Sequence, residues 1–209
     1  MANIDSPFGL RPVRHKHGAP YNGAATPYYI PSSYGTALFV GDPVVKTGTS
    51  NTAAVTVPGA GSFAIGTLPE INKATAGDGN RITGVIVGFS PLPSDLGKNY
   101  NAASTERVAL VCDDPSVVFE IQADGAIPAA SVGLNAVLIY THSGSTTSGL
   151  SGVELDTTSD VPAADASNQL VILRAVNRED NDTTSTWARV LVMINQHTES
   201  MGTVGSLGI

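Results

Sequence analysis

From residue 36 onward, apolar residues come in short runs of strand length, each closed by Gly, Pro, Asn or Asp. The runs are Ala37–Lys46, Ala53–Val57, Phe63–Leu68, Arg81–Phe89, Glu106–Cys112, Val117–Gln122, Ala136–Tyr140, Gly152–Leu155, Gln169–Val176 and Trp187–Ile194. All draw on β-branched, aromatic or other apolar residues, and this pattern predicts strands. Gly41-Asp42-Pro43 marks a bend inside the first run, because a proline cannot donate to a central ladder. Helical signal is confined to Ile127–Leu134, opened by Pro128, and Val161–Asn168, where Asp160 can cap and Pro162 can start a turn. Both are shorter than an average helix. The pattern predicts an all-β protein with an antiparallel sandwich or barrel-like body.

The first 35 residues follow another pattern. Pro7, Pro12, Pro20, Pro27 and Pro31 interrupt them at short intervals, removing donors and biasing their neighbours toward extended backbone. Arg11, Arg14 and Lys16 face only Asp5, whereas the remainder carries eight basic and seventeen acidic residues. Four of the six tyrosines fall here: Tyr21, Tyr28, Tyr29 and Tyr34. The segment reads as an extended arm (1–35) on a β-rich body (36–198), with a sub-boundary near 123–134 and a flexible tail (199–209). Tyr offers a large amphipathic area at low rotamer cost, so the expected contacts with a partner are Phe8, Leu10, Arg11, Arg14, Tyr21, Tyr28 and Tyr29. The alternative is that the arm folds back and covers an edge of its own sheet.

Composition narrows the function. Charged residues make up 14% of the chain, against roughly 25% in an average soluble protein. An acidic body, within a net charge of −7, argues against nucleic acid, which demands Lys and Arg clusters. Apolar content of 42% supports a folded core, but no run approaches the roughly 20 residues of a membrane-spanning helix. Met1–Asp5 lacks the basic and apolar regions of a secretory leader, so synthesis in a cytoplasm is expected. Cys112, the single cysteine, lies in an apolar run and reads as a buried, inert thiol.

Catalytic templates fail. Gly149-Leu150-Ser151-Gly152 lacks nucleophile-elbow spacing, and Gly59-Ala60-Gly61 lacks the βαβ context of a dinucleotide site. His15-x-His17 places two imidazoles together without a third ligand. Glu179, Asp180 and Asp182 could gather a calcium ion, but they read better as a solvated hairpin turn. Asp113-Asp114-Pro115 reads as a turn, with Arg107 and Arg189 placed to pair with such acids as scaffold. No catalytic, cofactor-binding or metal-binding residue is assigned, and the chain is expected not to be an enzyme.

Several segments resemble structural proteins of tailed bacteriophages. They are Ser6-Pro7-Phe8-Gly9-Leu10-Arg11-Pro12-Val13, Gly18–Gly23, Phe39-Val40-Gly41-Asp42-Pro43-Val44 and Gly84–Phe89, with Asp113–Pro115 leading to Phe119–Gln122, and Ala188–His197. Together they look like a capsid decoration, or cement, protein. The resemblance implies a virion protein on the outer capsid surface, commonly a homotrimer, that bridges neighbouring capsomers through contacts with the major capsid protein. An extended arm of about 30 residues reaches roughly 100 Å, enough to cross between subunits. The alternative is a tail, fibre or head-surface module that binds host glycan or receptor through loops 90–105 and 142–149.

Overall fold

The computed structural model describes residues 3–58 and 61–199. These form strands β1 (Arg11–His15), β2 (Thr26–Ile30), β3 (Pro43–Ser50), β4 (Val55–Val57), β5 (Gly61–Phe63), β6 (Pro69–Lys73), β7 (Gly84–Phe89) and β8 (Arg107–Cys112). They continue as β9 (Val117–Gln122), β10 (Asn135–Ala136), β11 (Leu138–Ile139), β12 (Glu154–Leu155), β13 (Leu170–Ala175) and β14 (Arg189–Ile194). Among the described residues one 3-10 turn, Ala129–Ser131, follows Pro128. The expectation of an all-β chain holds.

Strands β2, β6, β3, β7 and β8 close into a barrel. Its ladders are antiparallel except β2–β6, which meet in parallel at Tyr29 and Glu70. Tyr28, Ile30, Val44, Ile71, Ile86, Ala109 and Val111 pack together with Leu38 as one apolar cluster. Pro43 begins β3 directly after the turn at Gly41 and Asp42, so its missing N–H interrupts no ladder interior.

A second sheet runs β1-β9-β14-β13-β10, antiparallel throughout. All six residues of β9 are buried. Val117, Phe119 and Ile121 join a core that also takes Val85 and Cys112 from the barrel and Val190 and Val192 from β14. One side of the barrel therefore packs into the core of the sheet, apart from the barrel's own cluster. The chain passes from the sheet to the barrel between β1 and β2, and back to the sheet at 113–116.

The first 35 residues are extended, as expected, but they are built into the body. Strand β1 covers the outer edge of β9, and β2 pairs with β8 along its whole length. The prolines are accommodated locally. Pro12 lies on an edge strand beside a register shift, and Pro27 lies outside the single β2–β6 pair. Ahead of β1, the Gln122 amide donates to the Ile4 carbonyl (2.8 Å) and accepts from the Ser6 N–H (2.9 Å). Asn3 makes three hydrogen bonds to the 182–186 turn, two donated by its amide and one accepted from the Asp182 N–H. This is the fold-back arrangement rather than a free arm. Of the expected flexible tail, only Glu199 lies among the described residues, where it pairs with Lys46.

Candidate functional site: an apolar face around Leu150

The face starts from two glycines. Gly9 (φ +74°) and Gly41 (φ +93°) adopt backbone that other residues rarely hold. The Leu10 N–H donates to the Gly41 carbonyl at 3.0 Å. A Cβ on Gly9 would lie 2.5 Å from that oxygen, and one on Gly41 would lie 2.5 Å from the Phe8 carbonyl. The contact seats Phe8 and Leu10 beside the barrel. With Arg11, Tyr21, Val40 and Ile86 they line an apolar cleft of about 300 Å³.

Leu150 closes one side of this cleft and also borders a second, of about 380 Å³, with Phe89, Pro91, Leu96 and Arg107. It is held there by the 40–41 and 149–151 backbones: the Val40 N–H donates to Gly149 (2.9 Å), and the Ser151 N–H donates to Val40 (2.8 Å). The 142–149 loop is packed in place. Gly144 lies so close to the Phe39 ring that a Cβ would meet it at 2.2 Å. Phe39 in turn stacks on Tyr100 at 5.3 Å. Leu150 remains 38% exposed and Leu96 79% exposed, leaving apolar surface at the centre and rim of the face.

Arg107 organises the second cleft. Its guanidinium donates to the carbonyls of Ser90 (2.7 Å), Tyr100 (2.8 Å) and Lys98 (3.1 Å) and lies over the Phe89 ring. Burial lowers its pKa from the ordinary value, and the three carbonyl dipoles stabilise the cation. The expected partner was an acid; the partners are instead backbone carbonyls, which knit the 90–105 loop to β8. Arg189 stacks on Phe8 (5.4 Å), and its charge helps to lower the Asp180 carboxyl.

Of the seven expected contact residues, the cleft brings together Phe8, Leu10, Arg11 and Tyr21. Arg11 pairs with Glu120 at 2.8 Å while staying 54% exposed, and its guanidinium lies 4.7 Å from the Phe8 ring centre. Leu10 is a core residue whose edge reaches the cleft. Arg14, partly buried on β1, does not line it. Tyr28 and Tyr29 line neither cleft. Tyr28 is buried in the barrel cluster and donates to Asp113 (2.9 Å), and Tyr29 packs against a cluster formed by Val55, Val57, Leu68 and Val108. Sequence reasoning missed Val40 and Leu150. The bend at Gly41-Asp42-Pro43 was a usable signal for Val40; Leu150 had none.

The acidic sequences are mostly committed within the fold. Asp113 accepts from Thr26 and Tyr28. Partial burial opposes ionisation of Asp114, but hydrogen bonds from Ser116 and the nearby His15 and His17 outweigh it and hold the carboxyl below its usual range. Asp180 takes both bonds from Arg178, and Asp182 caps Thr184 and Ser185, so the two aspartates of this β13–β14 connection are engaged. His15 and His17 stack on each other at 5.4 Å. One group among the described residues gathers metal-ligating atoms from three separate stretches: Asp5, His142 and Glu154, all within 4.8 Å of one another. Burial pushes the Glu154 carboxyl above its ordinary pKa.

Compared with known proteins, the chain matches no family, no curated protein and no solved structure.

Proposed function

We propose that this protein is a capsid decoration protein of a tailed bacteriophage, which docks its Leu150 face on the major capsid protein and bridges neighbouring capsomers from outside. One observation carries the reading. Three segments on which the phage resemblance rests, 6–13, 39–44 and 84–89, are distant in sequence yet converge to line a single apolar cleft. The clefts on either side of Leu150 give a partner pockets to fill, and Arg11, paired with Glu120, sets a polar rim beside them. Such a concave apolar centre with a polar rim suits protein docking. A homotrimer engages several capsid sites at once and gains avidity. Binding the assembled shell alone then stabilises it by mass action.

The test is co-sedimentation of purified protein with shells assembled without it. Wild type should pellet with shells in saturable amounts. Leu150→Asp should lose at least about tenfold in affinity, since it replaces apolar contact with a charge to be desolvated. Failure of wild type to bind, or equal binding by the Leu150→Asp variant, overturns the reading.

A further inference from the structure

We propose that Asp5, His142 and Glu154 form a binding site for one divalent transition metal of the zinc class, which ties the start of the chain to the 142–154 segment. His142 Nε2 lies 3.5 Å from Asp5 Oδ2 and 3.6 Å from Glu154 Oε2. Both distances exceed those of good N–H···O hydrogen bonds, about 2.7–3.2 Å. They match the edges of a coordination tetrahedron: metal–ligand bonds of about 2.0–2.2 Å place neighbouring ligands roughly 3.3–3.6 Å apart. One imidazole nitrogen and two carboxylate oxygens also suit zinc chemically. Calcium prefers six to eight oxygens, more than these residues present.

Glu154 supplies the second, independent observation. Its residue is 1% exposed, and Oε1 is buried without a hydrogen-bond partner among the described residues. Oε2 accepts only the Thr141 hydroxyl, at 2.6 Å. A buried carboxylate beside a second carboxylate is costly unless a cation offsets both. The Thr141 hydroxyl would orient the ligating carboxylate, as outer-shell partners do.

The backbone holds this arrangement. Glu154 is fixed by the Ile139↔Glu154 pairing of β11 and β12. The His142 carbonyl packs on Gly152, where a Cβ would meet it at 2.5 Å. Asp5 arrives on a segment pinned by Gln122 on either side of it, at Ile4 and Ser6. Asp5 and His142 face solvent, which gives an entry path and a fourth position for water. The inference stands independently of capsid docking.

The test uses the full chain freed of metal. Titration with Co²⁺ should produce the strong visible absorption of a four-coordinate ion at one equivalent, and Zn²⁺ should displace it. Zn²⁺ should also raise Tm and slow amide exchange over residues 3–10. Asp5→Asn and His142→Ala, both at exposed positions, should each weaken binding by at least about tenfold while folding as wild type by circular dichroism. Glu154→Gln should weaken it similarly. Absence of saturable binding by wild type overturns the proposal. Undiminished binding by the Asp5→Asn and His142→Ala variants does so too, since the metal would then sit elsewhere, as at His15 and His17.

Discussion

Gly9 and Gly41 meet backbone to backbone: the Gly41 carbonyl accepts the Leu10 N–H at 3.0 Å, with no space for a side chain on either glycine. This contact joins the chain's start to the turn that opens β3 and places Phe8 on the cleft. Gly9→Ala would combine a left-handed backbone with overlaps at the Gly41 oxygen and at Ser151 Cβ, 2.6 Å away. The expected loss is about 2–3 kcal/mol. Thermal unfolding should register it as a fall in Tm of roughly 4–12 °C. An unchanged Tm would show that the segment shifts without cost.

Removing residues 1–35 should destroy the fold rather than free a body from its arm. The deletion takes β2 out of a closed barrel and removes Leu10, Tyr28 and Ile30 from the core. Losses of about 2–5 kcal/mol for each large buried side chain exceed a typical total stability of 5–15 kcal/mol once the lost ladders are included. The truncated chain should lack a cooperative denaturant transition. A transition like that of the full chain would contradict the integrated architecture.

The contrast between β9 and β2 explains what was legible in the sequence. Val117–Gln122 is bounded by turn residues, and its predicted limits coincide with the strand. The cores of β7, β8, β13 and β14 were equally plain. Residues 26–30 alternate buried Tyr28 and Ile30 with half-buried neighbours, but Pro27 and Pro31 obscured that period. Pro27 nevertheless keeps register opposite Leu110 in the β2–β8 ladder. Strand β6 was missed because Ile71 is its one fully buried residue, and apolar periodicity cannot announce it. The Phe63–Leu68 run suggested a strand where the chain mainly turns. For the candidate site, Phe8, Arg11 and Tyr21 were readable from composition. Leu150, like the Asp5–His142–Glu154 group, depends on tertiary proximity that spacing does not encode.

Cys112 should be chemically silent in the folded protein. It is 2% exposed, and burial pushes its thiol up to about 11, so thiolate is scarce at pH 8. A thiol-specific disulfide reagent should find no reactive group in native buffer and one per chain in denaturant. Rapid native reaction would contradict the burial.

Stability should fall as pH drops below the ordinary histidine range. His197 is buried, and desolvation lowers its pKa beneath 6.5. The unfolded chain therefore takes up a proton before the native one does, so His197's contribution is complete above pH 6.5 and is lost as pH falls toward the lower folded value. Between pH 7.5 and 5.5 this amounts to at most about 1.4 kcal/mol. His197→Gln should flatten that part of a denaturant-derived stability profile. An unaltered slope would assign the dependence to other groups.

The proposed docking places the Leu150 face on a phage shell. A subunit-resolution image of an intact particle tests it most directly. This barrel-and-sheet fold should then occupy regularly repeated positions on the outer capsid surface, with Phe8, Val40 and Leu150 turned toward the major capsid protein. Density for the fold only at the tail, or on the shell with Leu150 facing solvent, would contradict it.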